Sequence, residues 1–417
     1  MAVYIHPGKV SGIVTVPSSK SLSHRVLIAS LLCEEECVIS NLCICDDVTA
    51  TLEIIKSLGK EVTVVNGNYY IKPANGISNY VLNANESGST LRFLIPIVSL
   101  YNNEFIFKGS KKLLSRPLDV YKKIYDSQSL KFELNEDYLK VSGKLSSGVY
   151  EIPGNISSQF ITGLLFTLPL LDGDSCIKII GKLESISYVD MTIDILNKFG
   201  VKVDFKDNEI FIPGNQKYSK CDYNVPGDYS QMAFWAVLGT INNDIEIKGM
   251  TQDKLQGDSE IVEILKNCSG NIEYIGNSYI VRKKDFNKIN VDLSMIPDLG
   301  PILAVLASCG EEVSFINNCI RLKYKESDRL NAIYEELIKM SVDVNVVGNS
   351  LIIKGSKDIY NKNIIDSHND HRIFMALAVL GTISKNGVRI NNEKCISKSY
   401  PNFLNDLQKL GVKVDYE

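Results

Sequence analysis

The chain has 417 residues, 45% hydrophobic and 23% charged, a composition that suits a folded protein of two domains or one large repeat array and excludes a disordered chain. With 45 Lys+Arg against 49 Asp+Glu the net charge is −4, which argues against a general nucleic-acid binder and leaves any anion affinity to local placement of Lys and Arg. The ten cysteines, among them Cys33, Cys37, Cys43 and Cys45, form no paired CxxC module, so reduced thiols in the cytoplasm are expected and neither a metal nor a disulfide framework is.

The first residues, Val3-Tyr4-Ile5-His6-Pro7-Gly8, read as a strand and lack the basic start and apolar run of a signal peptide. No apolar stretch approaches the length of a membrane span. A polar turn, Ser18-Ser19-Lys20-Ser21, then precedes an apolar helix over 26–32. An amphipathic stretch over 54–58 ends at Gly59 and leads into two strands, 61–65 and 68–73. The same order returns along the chain. Ser87-Gly88-Ser89-Thr90 precedes an apolar run over 91–98, with a strand at 137–143. Ser157-Ser158-Gln159 precedes 160–168, with a helix ending at Gly200 and strands at 201–205 and 208–214. Gly227-Asp228-Tyr229-Ser230 precedes 232–238, with a strand at 277–281. Pro297-Asp298-Leu299-Gly300 precedes 302–306, with strands at 342–347 and 349–355, and Asn369-Asp370-His371-Arg372 precedes 373–380.

A period of about 70 residues is longer than a usual solenoid repeat and implies a repeated small α/β unit that ends helix, strand, turn, strand. The last copy, 403–414, stops at Glu417 where its second hairpin strand is due. Val3 to Gly8 resembles that missing strand, so the N-terminus is expected to complete the C-terminal repeat. One domain is then discontinuous, 1–17 plus 226–417, the other is 18–225, and two chain crossings form a hinge.

Six helices starting at one repeat phase imply six N-termini on one face of their domains, where free N–H groups and the positive dipole end receive anions. Any one of these turns is explained by capping alone. The set is not, because Lys20, Arg25, Arg92, Arg116 and Arg372 sit on or near the turns, joined by Lys325, Arg329 and Lys398 from other loops. A cation at a helix start opposes the dipole, and an anionic ligand resolves that conflict. Asp228 fits either a cap or a site residue, and His371 either proton transfer or a loop-holding hydrogen bond. Phe234 and Trp235 read as core, and Lys111-Lys112 as a solvated pair.

Over essentially its whole length the chain resembles the 3-phosphoshikimate 1-carboxyvinyltransferase family, also called 5-enolpyruvylshikimate-3-phosphate synthase. Pro17-Ser18-Ser19-Lys20-Ser21-Leu22-Ser23-His24-Arg25 is similar to the family's N-terminal lysine signature, and Lys325-Glu326-Ser327-Asp328-Arg329-Leu330 to its second. Ser87 to Arg92, Ser157 to Phe160, Asn369 to Arg372 and Lys398-Ser399-Tyr400-Pro401 match in order and spacing. The resemblance implies an α/β fold of two globular domains, each of three βαβαββ units, with helix N-termini facing an interdomain cleft. It further implies a cytoplasmic monomer that uses no cofactor or metal and binds neither nucleic acid nor membrane.

By the same resemblance, shikimate 3-phosphate is held by Lys20, Ser21, Arg25, Ser157, Ser158, Gln159, Ser185, Asp298 and Lys325. Phosphoenolpyruvate is held by Lys20, Gly88, Arg116, Gln159, Arg329, Arg372 and Lys398. Planar Arg forks match carboxylate and phosphate oxygens, and Lys supplies a compact charge. The implied reaction adds the 5-hydroxyl to C2 of the enol with a proton to C3, then eliminates phosphate. Asp298 is placed to take the hydroxyl proton and Glu326 to protonate the methylene carbon, with Lys20 and Lys398 stabilising developing charge. Because the cations are split between domains, ligand binding is expected to draw the two together. Gly88 leaves room for the family's inhibitor glyphosate, a phosphoenolpyruvate mimic.

Two positions depart from the family. Glu86 stands where Asn is usual, and a carboxylate there weakens phosphoenolpyruvate binding unless it points away or pairs with a cation. Arg321 replaces a common Asn and is left out of the substrate set. The alternatives are the transferase acting on UDP-N-acetylglucosamine, whose signature has Lys-Asn where this chain has Lys20-Ser21, and a noncatalytic anion-binding protein, which would lack Asp298 or Glu326.

Overall fold

The computed structural model describes every residue except Met1, Asn75, Ser269 and Lys362. The chain divides into two compact units, Met1–Pro17 with Pro226–Glu417, and Ser18–Val225.

Six helices carry the repeat: Lys20–Leu32, Gly88–Val98, Ser158–Thr167, Tyr229–Ile241, Gly300–Ser308 and His371–Gly381. Five are capped by the side chain just before them, Ser19, Ser87, Ser157, Asp228 and Asp370, each accepting from a backbone N–H of the first turn. The sixth is built differently. Asp298 falls inside a 3-10 turn, Pro297–Leu299, and the Gly300–Ser308 helix has no side-chain cap, so this carboxylate is not spent on a helix end. None of the six has an acidic residue in its first turn, whereas Asp46–Ser57, Asp119–Ser127 and Glu260–Asn267 do.

Burial separates the two helix types. Every residue of Tyr229–Ile241, Gly300–Ser308 and His371–Gly381 is buried, as expected of helices apolar on all sides. Those three pack on one another in the core of their unit, where Trp235 stacks on Phe403 at 5.0 Å between ring centroids. Amphipathic helices such as Asp46–Ser57 and Arg329–Lys339 keep one face exposed. In the other unit Gly88–Val98 lies close against Ser158–Thr167, and Gly163 permits it: a Cβ there would stand 2.3 Å from the Tyr121 hydroxyl and 2.6 Å from the Arg92 carbonyl oxygen.

The sheets follow the βαβαββ order. Val81–Asn83 runs parallel to Glu104–Lys108, which pairs antiparallel with Leu139–Ser142, which in turn closes a hairpin with Lys131–Leu134. Val149–Pro153, Ser175–Ile180, Glu209–Ile212 and Asp204–Lys206 repeat this arrangement, as do Asn290–Asp292, Val313–Asn317, Ser350–Lys354 and Asp343–Val347. Hairpins turn at Asn66-Gly67, Asp207-Asn208 and Gly276-Asn277, each with both residues at positive φ, the type I′ geometry that matches strand twist. The strand expected over 201–205 begins only at Asp204: the Val201 N–H is taken by the Leu196 carbonyl in closing the preceding helix, and the Lys202 N–H and carbonyl pair with the Gln216 side-chain amide.

Two short strands are exchanged. Gly12–Thr15, which leads into the Lys20–Leu32 helix, runs parallel to Ile245–Lys248 beyond the Tyr229–Ile241 helix. Tyr223–Asn224, which leads into the Tyr229–Ile241 helix, runs parallel to Cys37–Ser40 beyond the Lys20–Leu32 helix. The unit boundaries fall just after each exchanged strand. Ala2–Ile5 lies antiparallel between Val388–Asn391 and Val414–Tyr416. No helix among the described residues is long and apolar enough to cross a membrane.

Candidate active site

In the unit containing the C-terminus, Asp298, Lys325, Glu326, Arg329 and Arg372 form one ion-pair network. Asp298 Oδ1 accepts from Lys325 Nζ at 2.9 Å and Arg329 Nη1 at 3.0 Å, and its Oδ2 from Arg372 Nη2 at 3.3 Å. Arg329 also donates to Glu326 Oε2 at 2.6 Å and to both oxygens of Asp370, Nε to Oδ2 at 2.7 Å and Nη2 to Oδ1 at 3.2 Å. Ser327 Oγ donates to Asp370 Oδ2 at 3.1 Å, and Lys398 Nζ reaches the Asn369 carbonyl at 2.5 Å.

Freed from capping, the Asp298 carboxylate is a hub. Burial by itself raises its pKa, yet the charges of Arg372, Lys325 and Arg329 together hold it well below 3.8. Lys325 is shifted down by its burial, against the pull of Asp298, with Arg329 and Arg321 pushing the same way as burial. Arg321, 7% exposed, thus acts electrostatically on Lys325. Asp228 is a buried cap accepting from the Gln231 N–H at 3.1 Å.

The Ser18–Val225 unit gathers the remaining candidates around three helix starts. Lys20 Nζ donates to Asp47 Oδ2 at 2.7 Å, and the Asp47 carbonyl accepts from Thr90 Oγ1, which also bonds the cap Ser87. Gln159 spans the other two starts: its Oε1 accepts from Arg92 Nη1 at 2.8 Å and its Nε2 donates to Ser89 Oγ at 3.0 Å. The Arg116 guanidinium lies against Gly88, where a Cβ would come within 2.7 Å of Nη1. Ser157 caps the Ser158–Thr167 helix through the Gln159 N–H, and Ser158 is 5% exposed. Ser185 is buried at positive φ just before the Ile186–Lys198 helix, without a side-chain cap bond.

Arg25 is 2% exposed, and all its hydrogen bonds among the described residues end on neutral oxygens: the Ser21 and Tyr188 carbonyls and the Thr192 and Thr162 hydroxyls. Ser21 thus meets Arg25 through its backbone. Burial brings the Arg25 pKa down to about 10. His24 beside it is kept neutral, its pKa lowered by burial and by Lys20 and Arg25. Lys111, in contrast, is an exposed partner of Glu136 at 3.2 Å, and Glu86 is partly exposed in the turn before Ser87.

Sequence reasoning passed over Asp47, the partner of Lys20, since Asp46-Asp47 reads as the usual acidic first turn of a helix. It also passed over Asp370 as the partner of Arg329, because an Asp before a helix is sufficiently explained as a cap.

The sequence model of the EPSP synthase family, described as 3-phosphoshikimate 1-carboxyvinyltransferase, matches residues 5–407. The chain belongs to the EPSP synthase family. It is 44% identical over 420 residues to the 3-phosphoshikimate 1-carboxyvinyltransferase of Clostridium kluyveri, covering 99% of this chain and 98% of that one. It is 39% identical over 421 residues to that of Brachyspira hyodysenteriae, covering 99% and 100%. The solved EPSP synthase of Acinetobacter baumannii shares the fold, with a TM-score of 0.82 at 22% identity over 100% of both chains. The EPSP synthase fold of two repeat-built units therefore describes this chain, and its family is one of carboxyvinyl transferases.

Proposed function

We propose that this EPSP synthase family member transfers the enolpyruvyl group of phosphoenolpyruvate to the 5-hydroxyl of shikimate 3-phosphate, releasing phosphate, with the two side-chain clusters above as its catalytic machinery. The protein is an enzyme of the shikimate route to aromatic amino acids. The observation that carries the residue assignment is Asp298: a partly buried carboxylate, its side chain 17% exposed, unspent on its helix, with Lys325, Arg329 and Arg372 around it.

Addition requires the 5-hydroxyl oxygen to bond C2 of the enol while its proton leaves and a proton reaches C3. Elimination then removes a proton from that carbon and expels phosphate. Asp298 takes the hydroxyl proton and Glu326 serves the methylene carbon. In the free protein the surrounding cations make Asp298 a weak base. When the phosphate and carboxylate of phosphoenolpyruvate engage Arg329, Arg372 and Lys398, part of that positive field is neutralised and the Asp298 pKa rises, so donor binding readies the base. Arg116, Gly88 and Gln159 complete the donor site. Lys20, Ser21, Arg25, Ser157, Ser158 and Ser185 hold the shikimate phosphate and hydroxyls.

The chain works as a cytoplasmic monomer. Phosphate release is measured with phosphoenolpyruvate plus shikimate 3-phosphate or UDP-N-acetylglucosamine. Release with shikimate 3-phosphate alone is expected, and release only with the nucleotide sugar, or with neither, defeats the reading.

A further inference from the structure

Glu336 lies two turns beyond Arg329 on the Arg329–Lys339 helix and is fully buried, an expensive place for a carboxylate unless each oxygen is paired. Each is. Oε1 accepts from His368 Nε2 at 2.8 Å and from Lys339 Nζ at 2.8 Å, and Oε2 from the Asp366 N–H at 3.0 Å and again from Lys339 at 2.8 Å. Two of these donors belong to the segment that enters the His371–Gly381 helix.

That segment has an unusual backbone. His368 and Asn369 are consecutive residues at positive φ, 51° and 53°. The left-handed region costs a residue with a Cβ roughly 1–2 kcal/mol, and such geometry persists where the surroundings impose it. The double turn is what aims the Asn369 carbonyl at Lys398 Nζ and brings Asp370 onto Arg329, one residue before the helix start that carries Arg372. Asp366 Oδ1 adds a second tie, accepting from the His368 N–H at 2.7 Å.

The geometry points to Glu336 and His368 as positioning residues for the donor site: the Glu336 carboxylate, through the His368 imidazole and the Asp366 N–H, holds the left-handed turn that sets Lys398, Arg372 and the Asp370–Arg329 pair. This rests on the donor-site assignment above. Neither residue touches substrate in that assignment. They act through the 366–370 turn.

The anchor is also pH-sensitive. Its hydrogen bond to Glu336 raises the His368 pKa above 6.5, against its partial burial, and the charges of Glu336, Asp366 and Glu335 raise it further; Lys339 shares Glu336 from the same helix. A raised folded pKa means that the charged tie is fully present at acid pH and is lost as pH climbs through that value.

His368→Asn and Glu336→Gln separate the parts. Asn tolerates positive φ, so His368→Asn removes the imidazole without opposing the turn, while Glu336→Gln keeps an acceptor for Asp366 and removes the charge. Both variants should fold cooperatively and lose kcat/KM for phosphoenolpyruvate by on the order of tenfold or more, with a smaller change for shikimate 3-phosphate. The alkaline limb contributed by His368 should disappear from the pH profile of His368→Asn. In proton NMR the His368 ring should titrate above 6.5 in the wild type and nearer 6.5 in Glu336→Gln. Crystal structures should show the Asn369 carbonyl displaced from Lys398. An undisplaced carbonyl, an unshifted His368 titration in Glu336→Gln, or kinetics unchanged in both variants overturns the inference. A wild type that transfers no carboxyvinyl group defeats the functional reading alone, because the displacement and the titration are observed without turnover.

Discussion

Arg329 and Asp370 form a bidentate ion pair with side chains 1% and 0% exposed, Nε to Oδ2 at 2.7 Å and Nη2 to Oδ1 at 3.2 Å. Removing one member of such a pair strands the other charge in the interior, at a typical cost of about 3–5 kcal/mol. Asp370→Asn should cost that much while retaining an acceptor for the Arg372 N–H, and Asp370→Ala should add about 1 kcal/mol for the lost cap. Urea midpoints of the two variants measure the two contributions. Burial raises the Asp370 pKa, but Arg329 dominates with other groups and leaves it below 3.8. The pair's stabilisation is therefore present above 3.8 and lost as pH falls through the lower folded value.

Arg25 presents the opposite case, a buried cation among neutral acceptors. Replacement by Met removes a desolvated charge, so thermal stability at pH 7 should change little. Binding of shikimate 3-phosphate should weaken by about 1.5–3 kcal/mol, the usual worth of a hydrogen bond to a charged group, which is ten- to more than a hundredfold in Kd. Calorimetric titration of both proteins reads this directly. A large loss of stability with unchanged affinity would make Arg25 structural.

At Gly88 the effect is steric. An added Cβ would lie 2.7 Å from Arg116 Nη1 and 3.1 Å from its Cζ, so Gly88→Ala must push the guanidinium aside. The helix itself tolerates Ala, and stability should stay within about 1 kcal/mol of the wild type. The KM for phosphoenolpyruvate should rise on the order of tenfold, with the KM for shikimate 3-phosphate less affected. Steady-state kinetics with each substrate varied in turn checks this.

Asp258 is 3% exposed, accepts from the Ser230 hydroxyl with one oxygen and has no hydrogen-bond partner for the other among the described residues. Burial, with the charges of Asp298 and Asp228, pushes its pKa up to about 6 against the pull of Arg372 and Ser230. Between the ordinary carboxylate value and about 6 the folded protein keeps a proton that the unfolded chain releases, so stability falls as pH rises through this window. Asp258→Asn should accordingly unfold at a higher temperature than the wild type at pH 7.5, by on the order of 1 kcal/mol or more, with the difference vanishing near pH 4. Thermal unfolding across pH tests it.

Much of the fold was legible because it is written in local signals. Caps at Ser19, Ser87, Ser157, Asp228 and Asp370, apolar runs after them and paired positive-φ turns at the hairpins are each set by a few neighbouring residues. The site was legible as residue types at helix starts. Its pairings were not, since Lys20 with Asp47 and Glu336 with His368 join residues that lie on different elements and carry ordinary local explanations.

The sequence by itself therefore determined the repeat, the elements and the family, because periodicity, capping and signature motifs are properties of short stretches. Only the tertiary structure decided which sheet receives Gly12–Thr15 and which receives Tyr223–Asn224, strands too short to specify a partner, whose placement follows from where the chain crosses between the two units. It likewise decided that Asp298 is a hub of three cations and not a cap. Charge pairing depends on distance in space, and no spacing along the chain encodes it.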